Sequence, residues 1–167
     1  MAWVNNEWID RKKRGELIAV YREYIETIDA KYVDTDGIIS AGLIDEYYER
    51  LTELKRLERI HRCEDDLLEF ALEYFSESRN EGNAGNWAGF DITKRDQAAP
   101  FHKEITEIMD DVSNVNKNAK VAVAVARSHG KSTYLTKGFP LREVLYRKRK
   151  YIIIISETPS VSGPNLE

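Results

Sequence analysis

The sequence predicts an α/β chain: a helical N-terminal segment, then a first β-strand, a phosphate-binding loop, a helix and a second β-strand belonging to a partial parallel sheet. Three observations predict it. Apolar residues recur at helical spacing through the first half, beginning with Leu17, Tyr21, Tyr24 and Ile28. Residues 121–126 are all small or apolar, which suits a strand covered on both faces. Polarity then changes abruptly: Arg127, Ser128, His129 and Gly130 read as a tight turn, followed by Lys131, Ser132, Thr133 and a helical stretch toward Tyr146.

In chain order, a first amphipathic helix is expected over about residues 6–30. Residues 34–42, DTDGIISAG, break it, with Gly37 and Gly42 as turn residues. A second helix carries the stripe Leu43, Tyr47, Leu51, Leu54 and Leu57. A third, expected over 64–78, carries Leu67, Leu68, Ala71, Leu72 and Phe75, and the three would pack as a small bundle or hairpin. The stripes read as internal core in preference to a docking surface for another subunit. The acidic run Glu64, Asp65 and Asp66 falls at a helix start, where carboxylates complement the dipole and cap free N–H groups, so capping explains it better than metal binding. Residues 80–89, NEGNAGNWAG, form a Gly/Asn-rich linker, with Trp87 and Phe90 as aromatic anchors.

The loop that follows has the residue types a polyphosphate requires. A helix start leaves backbone N–H groups without intrahelical acceptors, and these converge on anionic oxygens with the helix dipole behind them. Gly130 lets the backbone pass close to a phosphate, Lys131 places a flexible cation near the β- and γ-oxygens, and Ser132 is the expected Mg²⁺ ligand. The Thr133 hydroxyl is within reach of an α-phosphate. The order strand, glycine-bearing loop, Lys-Ser/Thr, helix is that of a P-loop, with one departure: the first glycine of G-x-x-x-x-G-K-[ST] is Val125 here. Arg127 has two readings, a guanidinium reaching the γ-phosphate in cis or a surface arginine paired with a carboxylate. His129 reads as a loop residue making a local hydrogen bond, because nothing nearby in sequence orients it as a base.

Residues 126–160, ARSHGKSTYLTKGFPLREVLYRKRKYIIIISETPS, resemble the start of the ATPase domain of a tailed-bacteriophage terminase large subunit, the motor that packages viral DNA. Upstream, Ala99-Pro100-Phe101-His102 and the helical HKEITEIMDDV are similar to the segment before that motor's P-loop. Downstream, KYIIIISET over 150–158 is similar to its second strand. Terminases commonly carry a variant P-loop with an arginine and no first glycine. The resemblance implies an ATP-driven, Mg²⁺-dependent motor acting on double-stranded DNA in the host cytoplasm, with a small terminase subunit and a portal or procapsid as partners and a homo-oligomer in the full motor. It implies catalytic roles for Arg127 and Lys131, and ATP contacts for Arg127, Ser128, His129, Gly130, Lys131, Ser132 and Thr133, with Gln97 near the position of an adenine-reading glutamine. The second carboxylate site of a hydrolytic P-loop enzyme and the nuclease carboxylates of the family's C-terminal domain do not follow Ile155, so the expected organisation is a helical domain over 1–79, a linker over 80–96 and an incomplete P-loop ATPase domain over 97–167.

Composition fits this division. Of the 167 residues, those up to Asp96 hold 14 basic and 22 acidic side chains, a net −8, and the remainder 11 and 7, a net +4. An acidic front half is poorly suited to clamping DNA, whereas the basic back half is better placed. The run Arg147-Lys148-Arg149-Lys150, with Arg142 before it, reads either as cations completing a helix C-terminus or as DNA-phosphate contacts. The single cysteine, Cys63, excludes an internal disulfide and fits a reducing cytoplasm. His61, His102 and His129 show no metal-ligand spacing with it, and no apolar run is long enough to span a bilayer. Two other readings compete: a non-catalytic helical interaction module with a vestigial loop, and another P-loop motor such as a helicase.

Overall fold

The computed structural model describes residues 3–4, 7–34, 41–76, 92, 94–126 and 129–155. The architecture is predominantly helical. Two short strands, β1 (Trp3–Val4) and β2 (Glu7–Trp8), pair antiparallel, with Trp3 opposite Trp8. Five α-helices follow: α1 (Arg11–Asp34), α2 (Ala41–Asp65), α3 (Leu67–Phe75), α4 (Pro100–Asn114) and α5 (Phe139–Leu145). A 3₁₀ turn over Arg95–Gln97 precedes α4, and a π-helical segment over Thr133–Gly138 runs directly into α5.

The chain divides into two compact units, residues 1–61 and 62–167. In the first, Asp10 caps α1 by accepting from the Lys13 N–H at 2.8 Å. Ile9, Ile18, Ile25, Leu54 and Leu57 are buried together, with Leu17, Tyr21, Tyr24, Tyr47 and Leu51 packed around them. The expected α1 stripe is therefore present: Ile28 is buried, Leu17, Tyr21 and Tyr24 are partly buried, and Ile18 and Ile25 add buried positions beside them. Polar ties reinforce the α1–α2 pair: Tyr47 Oη donates to Asp29 at 3.0 Å, Arg22 pairs with Glu58, and the Arg50 guanidinium lies over the Tyr21 ring at 5.3 Å.

In the second unit α3 is the central element. Its sequence, LLEFALEYF, is apolar apart from the narrow face of Glu69 and Glu73, and Leu67, Leu68, Phe70, Ala71, Leu72 and Phe75 are all buried, as so wide an apolar surface requires. Asp66 is its N-cap and accepts from the Glu69 N–H at 2.9 Å, so the last member of the acidic run has the capping role its position suggests, although the helix starts three residues later than expected. α3 packs on α4 and on the helical run that begins at Lys131. Pro100 opens α4 at its first position, where a missing N–H costs nothing.

The expected parallel sheet does not form, and the α/β assignment is corrected to a mainly helical one. Residues 121–126 and 151–155 adopt no strand, and among the described residues the sole sheet is the β1–β2 pair. A parallel strand needs neighbours on its edges to pair every N–H and C=O and layers on both faces to cover its side chains. Neither segment has them: Val121 is 43% exposed, Ile153 66% and Ile155 87%. The linker assigned to 80–96 lies mostly outside the described residues, as do Trp87 and Phe90.

The winding before α5 also departs from a regular helix. Pro140 sits two residues into α5 with helical residues on both sides, so it offers no N–H and its ring crowds the carbonyl four residues back, Thr136. The π winding over Thr133–Gly138 opens the turn at that point, and the Phe139 N–H bonds to the Tyr134 carbonyl five residues back. Gly138 is buried in the same turn, where a Cβ would come within 3.1 Å of the Thr133 carbonyl oxygen.

Candidate functional site: the Gly130 turn

The turn that carries the phosphate-binding expectation is built by two elements of the second unit. Gly130 has φ 69°, a left-handed conformation that only glycine adopts without strain. Its carbonyl accepts from the Tyr134 N–H at 3.1 Å, the first bond of the helical run. The amides just after it belong to the helix's opening turn, which supplies no intrahelical acceptors for them. Lys131 folds back across the turn, and its Nζ donates to the Val125 carbonyl at 3.2 Å. The ammonium is thus held over the loop, half-buried, on a single neutral oxygen among the described residues.

From the other side, the first turn of α4 reaches the same loop. His102 Nε2 lies 3.0 Å from the His129 carbonyl oxygen. A carbonyl can only accept, so the imidazole carries its proton on Nε2 and donates. The His102 ring packs on Tyr134, with centroids 5.0 Å apart and planes tilted by 36°, and Phe101 meets the His129 ring edge-on at 5.6 Å. Tyr134 is fully buried, and burial pushes its phenol well above the usual range. Four rings therefore pack around one glycine turn.

Of the residues expected at the site, the structure brings together His129, Gly130, Lys131, Ser132 and Thr133. Ser132 is exposed at the helix start and Thr133 is half-buried where the π winding begins. Arg127 and Ser128 lie outside the described residues. Gln97 caps its own 3₁₀ turn, with Oε1 accepting from the Lys94 N–H at 3.1 Å. Among the described residues no three His, Cys, Asp or Glu side chains converge as a metal-binding group. His102 and Tyr134 received no role from the sequence, because their meeting with the loop depends on how α4 packs.

The basic cluster is largely engaged inside the second unit. Arg142 is fully buried and pairs with Asp110, which also accepts from the Leu67 N–H at 3.0 Å. Arg149 donates to Glu143 at 3.2 Å and to the Val112 carbonyl at 2.9 Å. Lys148 reaches Asp65 at 2.8 Å and Asn114 at 2.6 Å, and burial lowers its ammonium's pKa despite the Asp65 carboxylate. These three cations have internal structural partners. Arg147 also serves through its backbone. The α5 helix ends in a Schellman motif, with the Arg147 and Lys148 N–H groups bonding to the Val144 and Glu143 carbonyls at 3.1 and 2.9 Å, and Arg147 at φ 56° in the position glycine usually takes.

No family model matches this chain, and no curated protein and no solved structure matches it either.

Proposed function

We propose that the Gly130 turn binds the phosphates of ATP, and that the chain is the N-terminal part of a terminase-type large subunit that packages double-stranded DNA. The observation that carries this reading is the Lys131 ammonium, held across the turn by the Val125 carbonyl 3.2 Å away, beside a glycine at φ 69° and the opening amides of a helix. One neutral acceptor is a weak partner for an ammonium, and a phosphate oxygen is a stronger one. On binding, Lys131 exchanges the carbonyl for the β- and γ-oxygens, and the loop amides supply further donors. Mg²⁺ would be held by the Ser132 hydroxyl and the nucleotide's own phosphates, in keeping with its habit of taking few protein ligands. The reading rests on the turn and the resemblance over 126–160, without a parallel sheet.

Double-stranded DNA, a small terminase subunit, a portal or procapsid and a homo-oligomeric motor enter as parts of the same proposal. Arg142, Lys148 and Arg149 are not assigned to DNA, since each already has a carboxylate partner. The mainly helical architecture favours a second reading, a non-catalytic interaction module with a vestigial loop. Isothermal titration with ATP and Mg²⁺ separates the two: the proposal expects binding heat that Lys131→Ala abolishes. Absence of heat in the native chain, or equal heat after the substitution, removes the nucleotide reading.

A further inference from the structure

We propose that His102 is the positioning residue of the Gly130 turn: its Nε2–H holds the His129 carbonyl and thereby sets the direction of the Gly130 N–H that an anion would meet. The inference rests on the phosphate-binding reading for its ligand, but its structural half stands on contacts of its own. A peptide unit is planar and trans, so its C=O and N–H point to opposite sides. With the His129 oxygen 3.0 Å from His102 Nε2, the N–H of Gly130 in that same peptide is directed away from α4.

The neighbouring contacts make the imidazole a stiff anchor. Its ring contacts Phe101 at 3.9 Å and Tyr134 at 5.0 Å between centroids, and Tyr134 is buried in the helical run that Lys131 begins. Its other nitrogen, Nδ1, is buried and has no hydrogen-bond partner among the described residues. Only one tautomer, protonated at Nε2, fits both facts, so the ring always presents a donor to the loop. Gly130 at φ 69° has the freedom to rotate its preceding peptide, and the His102 bond selects one orientation. A donor whose direction is set before the ligand arrives binds more tightly than one that must be ordered on binding.

The test compares His102→Ala with His102→Gln, whose side-chain amide nitrogen reaches about as far as imidazole Nε2 and keeps a donor. Two measurements on the full chain are read together. Without nucleotide, the ¹³C′ resonance of His129 and the ¹⁵N resonance of Gly130 report the hydrogen bond on that peptide; both are expected to move in His102→Ala and to return toward native positions in His102→Gln. With ATP and Mg²⁺, the dissociation constant is expected to rise by about tenfold in His102→Ala and to stay within about threefold in His102→Gln. Unchanged resonances in a folded His102→Ala overturn the clamp, as does unchanged affinity where the native chain binds. If the native chain does not bind ATP, the nucleotide reading fails alone and the resonances decide the clamp. If His102→Ala unfolds, the comparison passes to His102→Gln, where displaced resonances overturn the proposal.

Discussion

Ser113 Oγ donates to Glu143 Oε1 across 2.6 Å, joining α4 to α5 at a carboxylate with no solvent exposure. Arg149 and Arg142 approach the same carboxylate at 3.2 and 3.5 Å. Ser113→Ala leaves one lone pair of a buried anion without its shortest donor, a loss of about 1–3 kcal/mol. Urea unfolding should show the midpoint fall with an unchanged slope. A midpoint equal to that of the native chain would mean the bond contributes nothing.

Arg147 provides a test of the opposite sign. It occupies the left-handed position of the α5 Schellman motif at φ 56°, where a side chain costs about 1 kcal/mol relative to glycine. Arg147→Gly should raise the thermal midpoint, despite removing a cation from a basic cluster. Affinity for double-stranded DNA and its salt dependence, measured on the same variant, report any phosphate contact by this residue. A lower midpoint would contradict the cap assignment.

Cys63 predicts an alkaline limb in the stability profile. The thiol is fully buried, and burial pushes its pKa from about 9 up to about 12. Between those values the native state keeps a proton that the unfolded state gives up, so stability falls as pH rises, by about 1.4 kcal/mol per unit. The contribution is fully present below pH 9. Cys63→Ala lowers the starting stability through the cavity it leaves and removes this limb, so native and variant curves converge with rising pH; parallel curves would refute the assignment. The native thiol should also resist Ellman's reagent until the chain unfolds.

Asp66→Ala removes both the α3 N-cap and the partner of Arg95. The cap contributes about 1 kcal/mol and the half-exposed ion pair adds little. Hydrogen exchange should accelerate first at the Glu69 amide. Protection there equal to the native chain's would place the helix start elsewhere.

Much of the helical framework was legible in the sequence because helices are specified locally. The stripe through Leu54 and Leu57, the run Leu67 to Phe75 and the cap at Asp66 all follow from residues within a few positions of one another. The sheet was not legible in that way. Residues 121–126 and 151–155 have strand composition, but a strand exists only with partners along its edges, which composition does not supply. At the candidate site, Gly130 and Lys131 were readable from the motif, whereas His102 and Tyr134 join them through α4 packing. The stretch after the loop reads in sequence as one helix toward Tyr146, which misses the π winding before Pro140, although a proline inside a helix disturbs the preceding turn. Two partners of the basic cluster were hidden for the same reason as His102: Asp110 is 32 positions from Arg142, and the Val112 carbonyl is 37 from Arg149.

The wide winding at Thr133–Gly138 makes this stretch longer by a residue than the arc it covers requires. Shortening the chain by one residue there would keep Arg142 and Glu143 facing Asp110 and Ser113, but ordinary winding brings the Pro140 ring back onto the carbonyl four residues behind it, so the excision also needs Pro140 replaced. The same excision in the middle of α4 would swing every later side chain of that helix by about 100° and scatter those contacts. Length variation in the first segment is therefore tied to the residue at position 140, whereas in α4 no single replacement compensates for it.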